Sequence, residues 1–147
     1  MNVIECIKKR RSIRNFIDKE IGMDQLGQIL EAGTFAPSSG NLQNWFFILV
    51  TDQALKDQLI TGCLNQKWIA KAPVIIVVIA DPRKIEREYG ERGKKVYSIQ
   101  NVSAAIQNML LTVTDLGLGS CWVSAFDELI IKRTLSIPDD KTVHALI

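Results

Sequence analysis

Pro73-Val74-Ile75-Ile76-Val77-Val78-Ile79-Ala80-Asp81-Pro82 decides the fold class. Six β-branched residues in succession favour extended backbone, and the flanking prolines bound the segment. No polar residue interrupts the run, so such a strand must be covered on both faces. Phe46-Phe47-Ile48-Leu49-Val50 reads as a second buried strand, and Val143 to Ile147 as a third. Cys121-Trp122-Val123 predicts a further short strand.

Helical patterns fill the intervals. Asn2 is a plausible N-cap, with Glu5 placed for a capping box, and this first helix ends near Lys8-Lys9-Arg10-Arg11. Asp24 would cap a second helix that presents Leu26, Ile29 and Leu30 on one face and stops before Pro37. Gln53 to Leu64 carries Leu55, Leu59 and Ile60 at helical spacing. Arg83 to Lys95 is charged and mixed in sign, and reads as a mobile surface insertion. Val96, Ile99, Val102, Ile106, Met109, Leu110 and Val113 then define a long helix, with Gly117 placed to end it. A last helix runs from about Asp127 to Leu135. The class is α+β, an α/β sandwich with a small mixed sheet flanked by helices.

The 147 residues make one domain, 1–147, with no linker or repeat. Hydrophobic residues at 47% and charged residues at 23% exclude a disordered chain, a collagen repeat and a disulfide scaffold. A formal charge of +2 is too small to imply a polyanionic partner, so no nucleic acid is expected. Cys6, Cys63 and Cys121 are dispersed and odd in number, and no apolar leader segment follows Met1. Reduced thiols and a cytoplasmic setting are therefore expected, with no membrane span.

Two clusters invite chemistry. Arg10-Arg11-Ser12-Ile13-Arg14 offers guanidinium forks and a hydroxyl suited to phosphate, or alternatively a solvated basic helix end favoured by the macrodipole. Ala36 to Trp45 is dense in hydroxyl and amide groups able to hydrogen-bond a heterocycle or polyol, or it is an elaborate turn serving its own backbone. Gly117-Leu118-Gly119-Ser120 follows a helix and precedes a strand, the reverse of a dinucleotide-binding turn. His144 has no Cys or His neighbour for zinc and reads as a packed or edge residue; Trp45, Trp68 and Trp122 read as core aromatics. Anion-binding groups with almost no acid–base machinery suggest that a cofactor supplies the chemistry.

Taken in order, Arg10 to Arg14, Ala36 to Trp45 and Gly117 to Glu128, with a long apolar helix before the third block, resemble the nitroreductase superfamily of FMN-dependent oxidoreductases. The resemblance implies an intertwined homodimer with FMN at the subunit interface and NAD(P)H as electron donor. It places Arg10, Arg11 and Ser12 at the FMN phosphate and ribityl chain. Arg14 falls near the N1/O2 edge of the flavin, in an electrostatic role. Pro37, Ser38, Ser39, Asn41 and Gln43 match a loop that reaches the flavin from the partner subunit. Asn65 matches a position near the ring edge, and Val123, Ser124 and Ala125 a segment over one ring face. The implied reaction is ping-pong hydride transfer to a small-molecule acceptor such as a nitroaromatic or quinone. A binding or dimerisation module with little turnover, and a dehalogenase or flavin reductase, are the alternatives. Asn44 stands where the family usually has proline, and Ser124 where glycine or glutamate is common. Members continue beyond the last strand into an arm that embraces the partner; with the chain ending at Ile147, the expectation is that this arm is absent.

Overall fold

The computed structural model describes residues 1–147. In chain order it contains α1 (Val3–Lys9), α2 (Met23–Thr34), β1 (Trp45–Val50), α3 (Gln53–Gly62), β2 (Ile75–Ala80), α4 (Pro82–Arg92), α5 (Ser98–Asp115), α6 (Glu128–Leu135) and β3 (Thr142–Leu146). The sheet order is β1-β2-β3, with both pairings antiparallel. The three-stranded sheet is thus antiparallel throughout, and the parallel pairing is confined to one isolated bridge outside it, Ser12 to Ser120.

The period-two alternation of β2 sends successive side chains into two separate cores. Ile76, Val78 and Ala80 pack with Ile29 of α2 and with Val102, Ile106 and Met109 of α5. Ile75, Val77 and Ile79 pack with Leu59 of α3, Ile69, Ile131 of α6 and Val143 of β3. Each fully buried Val or Ile contributes about 1.5–3 kcal/mol, so the central strand alone anchors both layers.

Side-chain caps set several boundaries. Asn2 Oδ1 accepts the Glu5 N–H at 3.0 Å while Glu5 Oε2 accepts the Asn2 N–H at 3.2 Å, completing the expected capping box. Asp52 caps α3 and Asp127 caps α6. The α2 boundary differs from expectation. Gly22 is its N-cap and Asp24 lies inside the first turn, because Gln25 Oε1 takes over the capping contact at 3.3 Å. Gly117, at φ 72, follows α5 as expected.

Two further expectations are corrected. Arg83 to Lys95 is not an irregular insertion but α4 continuing through a π-helical turn, Gly93–Tyr97. Asp81 caps this helix, Pro82 opens it, and Ile85 is buried beneath it. Its charges pair along the surface, Lys94 with Glu86 at 3.2 Å and Lys95 with Glu91 at 3.0 Å. Alternating charge thus concealed a helix with one narrow apolar seam. Cys121-Trp122-Val123 forms no strand, since only Ser120 and Val123 make bridges. Trp45 is buried and Trp68 half-buried, but Trp122 is 37% exposed and is not a core aromatic. No helix is long and apolar enough to cross a membrane.

Two polar groups in this scaffold have measurable consequences. Lys56 is buried, and its ammonium donates to the carbonyls of Ala72 (2.9 Å) and Pro73 (3.4 Å), tying α3 to the approach to β2. Lys56→Met leaves those acceptors unmet and should lower unfolding free energy by about 1–3 kcal/mol in urea titration. His144 is the extra residue of a β-bulge, because Val143 and Ala145 pair with the consecutive Ile79 and Val78. Burial pushes its pKa down, with a smaller opposing influence from Glu128. The folded state therefore holds the neutral imidazole. As pH falls below the unfolded value of about 6.5, the unfolded chain binds the proton first and stability declines. His144→Gln should show a shallower loss of denaturation midpoint than the parent between about pH 7.5 and 5.5.

Candidate functional site

α1 ends at Arg10, whose backbone turns extended (φ −52, ψ 129) and carries the chain away from the helix. Arg10 and Arg14 therefore do not share a helical face. The Arg11 guanidinium folds back on α1, donating to the carbonyls of Lys8 at 2.6 Å and Arg10 at 2.8 Å. This is the favourable placement of a cation at a helix C-terminus. Ser12 bridges in parallel to Ser120, and the Ile13 N–H donates to the Ser120 carbonyl at 2.9 Å. The arginine segment is thereby laced to the segment that follows α5.

Arg14 lies 5.8 Å from the centroid of the Trp68 ring, and Phe16 packs against the same ring at 6.3 Å. A guanidinium over an indole face is held by cation–π attraction while remaining charged. No carboxylate pairs with Arg10, Arg11 or Arg14, whereas Lys94, Lys95, Lys132 and Lys141 all have acidic partners. Three arginines within five residues, none with an acidic partner, concentrate positive charge in this segment and suit it to an anion.

The turn after α3 is built on left-handed backbone. Leu64 and Asn65 both adopt the left-handed region, at φ 55 and φ 60, and the Asn65 N–H donates to the Ile60 carbonyl at 2.9 Å. Gln66 Nε2 then reaches the Ala125 carbonyl at 3.2 Å, and the Asp127 N–H donates to the Gly62 carbonyl at 2.7 Å. Val123 is buried and exchanges backbone bonds with Leu146 at 2.8 and 3.0 Å. Ser124 Oγ accepts from the Trp122 indole at 2.9 Å. The backbone N–H groups of Ser124 and Ala125 donate to nothing within the chain. Arg10 to Arg14, Asn65 and Val123 to Ala125 are thus tied into one neighbourhood, offering cations beside free backbone donors. These groups fit a phosphate-bearing cofactor with a planar hydrogen-bonding ring such as FMN.

Pro37, Ser38, Ser39, Asn41 and Gln43 are not part of that neighbourhood. Their loop is fastened near the beginning of α5, where Ser39 meets Asn101. α1 instead meets the far end of the same helix, with Cys6 and the N-terminal ammonium against Asp115. The stretch of helix between Asn101 and Asp115 spans about 21 Å. Within the loop, Ser38 Oγ accepts the Gln43 N–H at 3.0 Å, and Asn41 and Gln43 are exposed with φ of 54 and 47.

A cavity of about 350 Å³ lies nearby, bounded by Phe16, Trp68, Leu26, Ile29, Val113 and Ile147 among other apolar residues. Of the expected cofactor residues only Val123 lines it, so it is not the bed those residues describe. Burial pushes the Cys63 thiol up to about 11, which leaves it protonated and unsuited to nucleophilic chemistry at neutral pH. The sequence did not reveal Trp68 as a partner of Arg14, nor Ser98 and Asn101 as partners of Asn44. The available signal was Ser98 and Asn101, polar residues one turn apart on the apolar face of α5.

A sequence profile described as the Nitroreductase family matches residues 7–64 and 60–147. A protein of Archaeoglobus fulgidus provisionally named NADH dehydrogenase/NAD(P)H nitroreductase is 32% identical over 150 residues, covering 97% of this chain and 83% of that one. An NADH dehydrogenase of Thermus thermophilus is 28% identical over 166 residues, covering 95% and 81% respectively. The crystal structure of a nitroreductase family protein from Clostridium novyi NT superposes with a TM-score of 0.91 at 34% identity, across 99% of this chain and 82% of that one.

The Asn65 turn offers a direct check on this geometry. Leu64 is 61% exposed yet left-handed, a conformation costing an L-residue about 1–2 kcal/mol. Leu64→Gly should therefore raise unfolding free energy by about 1 kcal/mol in chemical denaturation; a loss of stability would count against the left-handed turn.

Proposed function

We propose that this chain, which belongs to the nitroreductase family, binds FMN at the Arg10–Arg14 segment and uses it to pass reducing equivalents from NAD(P)H to small oxidised acceptors such as nitroaromatics or quinones. The observation that carries this reading is the group of arginines without acidic partners, laced through Ser12 to a segment with free backbone donors. When bound, FMN supplies the hydride-accepting and hydride-donating chemistry.

The protein's part is binding, orientation and electrostatics. Arg10, Arg11 and Ser12 would hold the phosphate and ribityl chain, with the bidentate geometry that guanidinium offers. Arg11 is already oriented by the α1 carbonyls, so little side-chain freedom remains to be lost on binding. Arg14, steadied on Trp68, would place positive charge at the N1/O2 edge and favour the reduced cofactor. Asn65 and the Ser124 and Ala125 N–H groups would bond the ring edge. No general acid or base is required of the chain.

The polar loop enters through a homodimer. About 21 Å of α5 separates it from the arginine segment of its own chain, so Pro37, Asn41 and Gln43 serve the site of a second copy. Val3, Ile4 and Ile7 leave an apolar face of α1 exposed, and Phe35, at 77% exposure, flanks the loop itself; both are surfaces that a dimer would cover.

Purified protein should carry a flavin absorbance spectrum that bleaches on anaerobic addition of NADH or NADPH; protein that stays colourless after FMN is added would overturn the proposal. Arg14→Ala should lower the midpoint potential of bound FMN by about 30 mV for each tenfold of reduced-state preference lost. Spectroelectrochemical titration checks this, and an unchanged potential with unchanged turnover removes Arg14 from its role.

A further inference from the structure

Ser39, Asn44, Ser98 and Asn101 form an uncharged hydrogen-bonded chain between the polar loop and α5. The backbone N–H and the hydroxyl of Ser39 both donate to Asn101 Oδ1, at 3.0 and 3.1 Å. Asn101 Nδ2 donates to Asn44 Oδ1 at 2.9 Å, and Asn44 Nδ2 to Ser98 Oγ at 2.9 Å. Asn44 is wholly buried, and Ser98 and Asn101 nearly so.

The direction of this chain is not free. A backbone N–H can only donate, so Asn101 must present its oxygen to Ser39 and its amide to Asn44. Asn44 must then turn its own amide towards Ser98. One obligate donor therefore orients two buried carboxamides and fixes where the loop begins and ends. The Asn44 carbonyl adds a second attachment, accepting the Asp81 N–H at 2.8 Å at the end of β2. The Tyr89 hydroxyl of α4 closes over Gly40, where any Cβ would lie 2.7 Å away.

Such bracing is needed because Gly40, Asn41 and Gln43 all have positive φ. A loop with three left-handed residues has little local preference for its own shape. Its shape is imposed from α5 and the β2–α4 junction.

We infer that Asn101 and Asn44 are positioning residues that hold the polar loop so that Asn41 and Gln43 face the cofactor, and that Ser39 is consumed as the loop's anchor instead of contacting the cofactor. This rests on the functional reading above. Asn44 can serve this way because its carboxamide both accepts from Asn101 and donates to Ser98, which an apolar side chain in its place could not do.

The test measures FMN affinity by fluorescence titration of the full chain, together with amide hydrogen exchange of the FMN-free protein. Asn101→Leu should weaken FMN binding about tenfold or more and speed exchange across residues 38–44, leaving residues 105–113 of α5 as protected as before. Asn101→Asp keeps an acceptor for Ser39 and lets the Asn44 amide turn over to donate, so its Kd should stay within about threefold of the parent. Ser39→Ala should weaken binding in the parent and change nothing further beside Asn101→Leu, the non-additivity of a shared interaction. If Asn101→Leu does not fold, Asn101→Ser gives the same comparison. An unchanged Kd despite faster loop exchange overturns the positioning role alone. Loss of protection throughout α5 overturns it too, showing a general packing effect. A parent protein that binds no FMN overturns the functional reading instead, while the exchange data still decide whether Asn101 anchors the loop.

Discussion

β2 exposes almost none of its six residues, and a strand so placed needs partners on both edges and apolar layers on both faces. β1 and β3 supply the edges; α2 and α5 cover one face, and α3 and α6 the other. Every other placement follows from these two layers. α5 must be long and apolar on one side because it spans a whole face of the sheet. The segments entering and leaving it then define the two ends of the molecule, and the polar residues collect at those ends.

Both clusters of chemical interest lie in irregular backbone held by regular elements, the usual home of binding residues. The arginine segment takes its path from one bridge, Ser12 to Ser120, and its charge orientation from Trp68 and the α1 carbonyls. The amide-rich loop takes its path from Asn101 and Asn44. In each case a few specific contacts set the conformation of several exposed side chains. Specific polar contacts are thus used for placement, while the sheet and its helices supply the stability.

Legibility followed interaction range. The Asn2–Glu5 capping box, Asp127 before α6, Gly117 after α5 and the three strands all follow from neighbours within a few residues. α4 was hidden because its apolar content is concentrated in Ile85, and its ion pairs resemble a solvated charge run. Cys121-Trp122-Val123 has strand-forming residues but only isolated bridges, since β3 offers it a single pairing at Leu146.

The linear order of residues was sufficient to establish an α+β chain with a doubly covered central strand, and to single out Arg10 to Arg14 and Ala36 to Trp45 as chemically unusual. Periodicity, caps and residue type are local properties, and they carry that much. Only the tertiary structure decided that Arg11 turns back on α1 while Arg14 rests on Trp68. It alone joined the arginine segment to Val123 to Ala125 and Asn65, and held the amide loop at the opposite end of α5. Apart from the local fold-back of Arg11, those relations depend on contacts between residues more than fifty positions apart, where no sequence period or propensity reaches, and packing around β2 is what brings them into register.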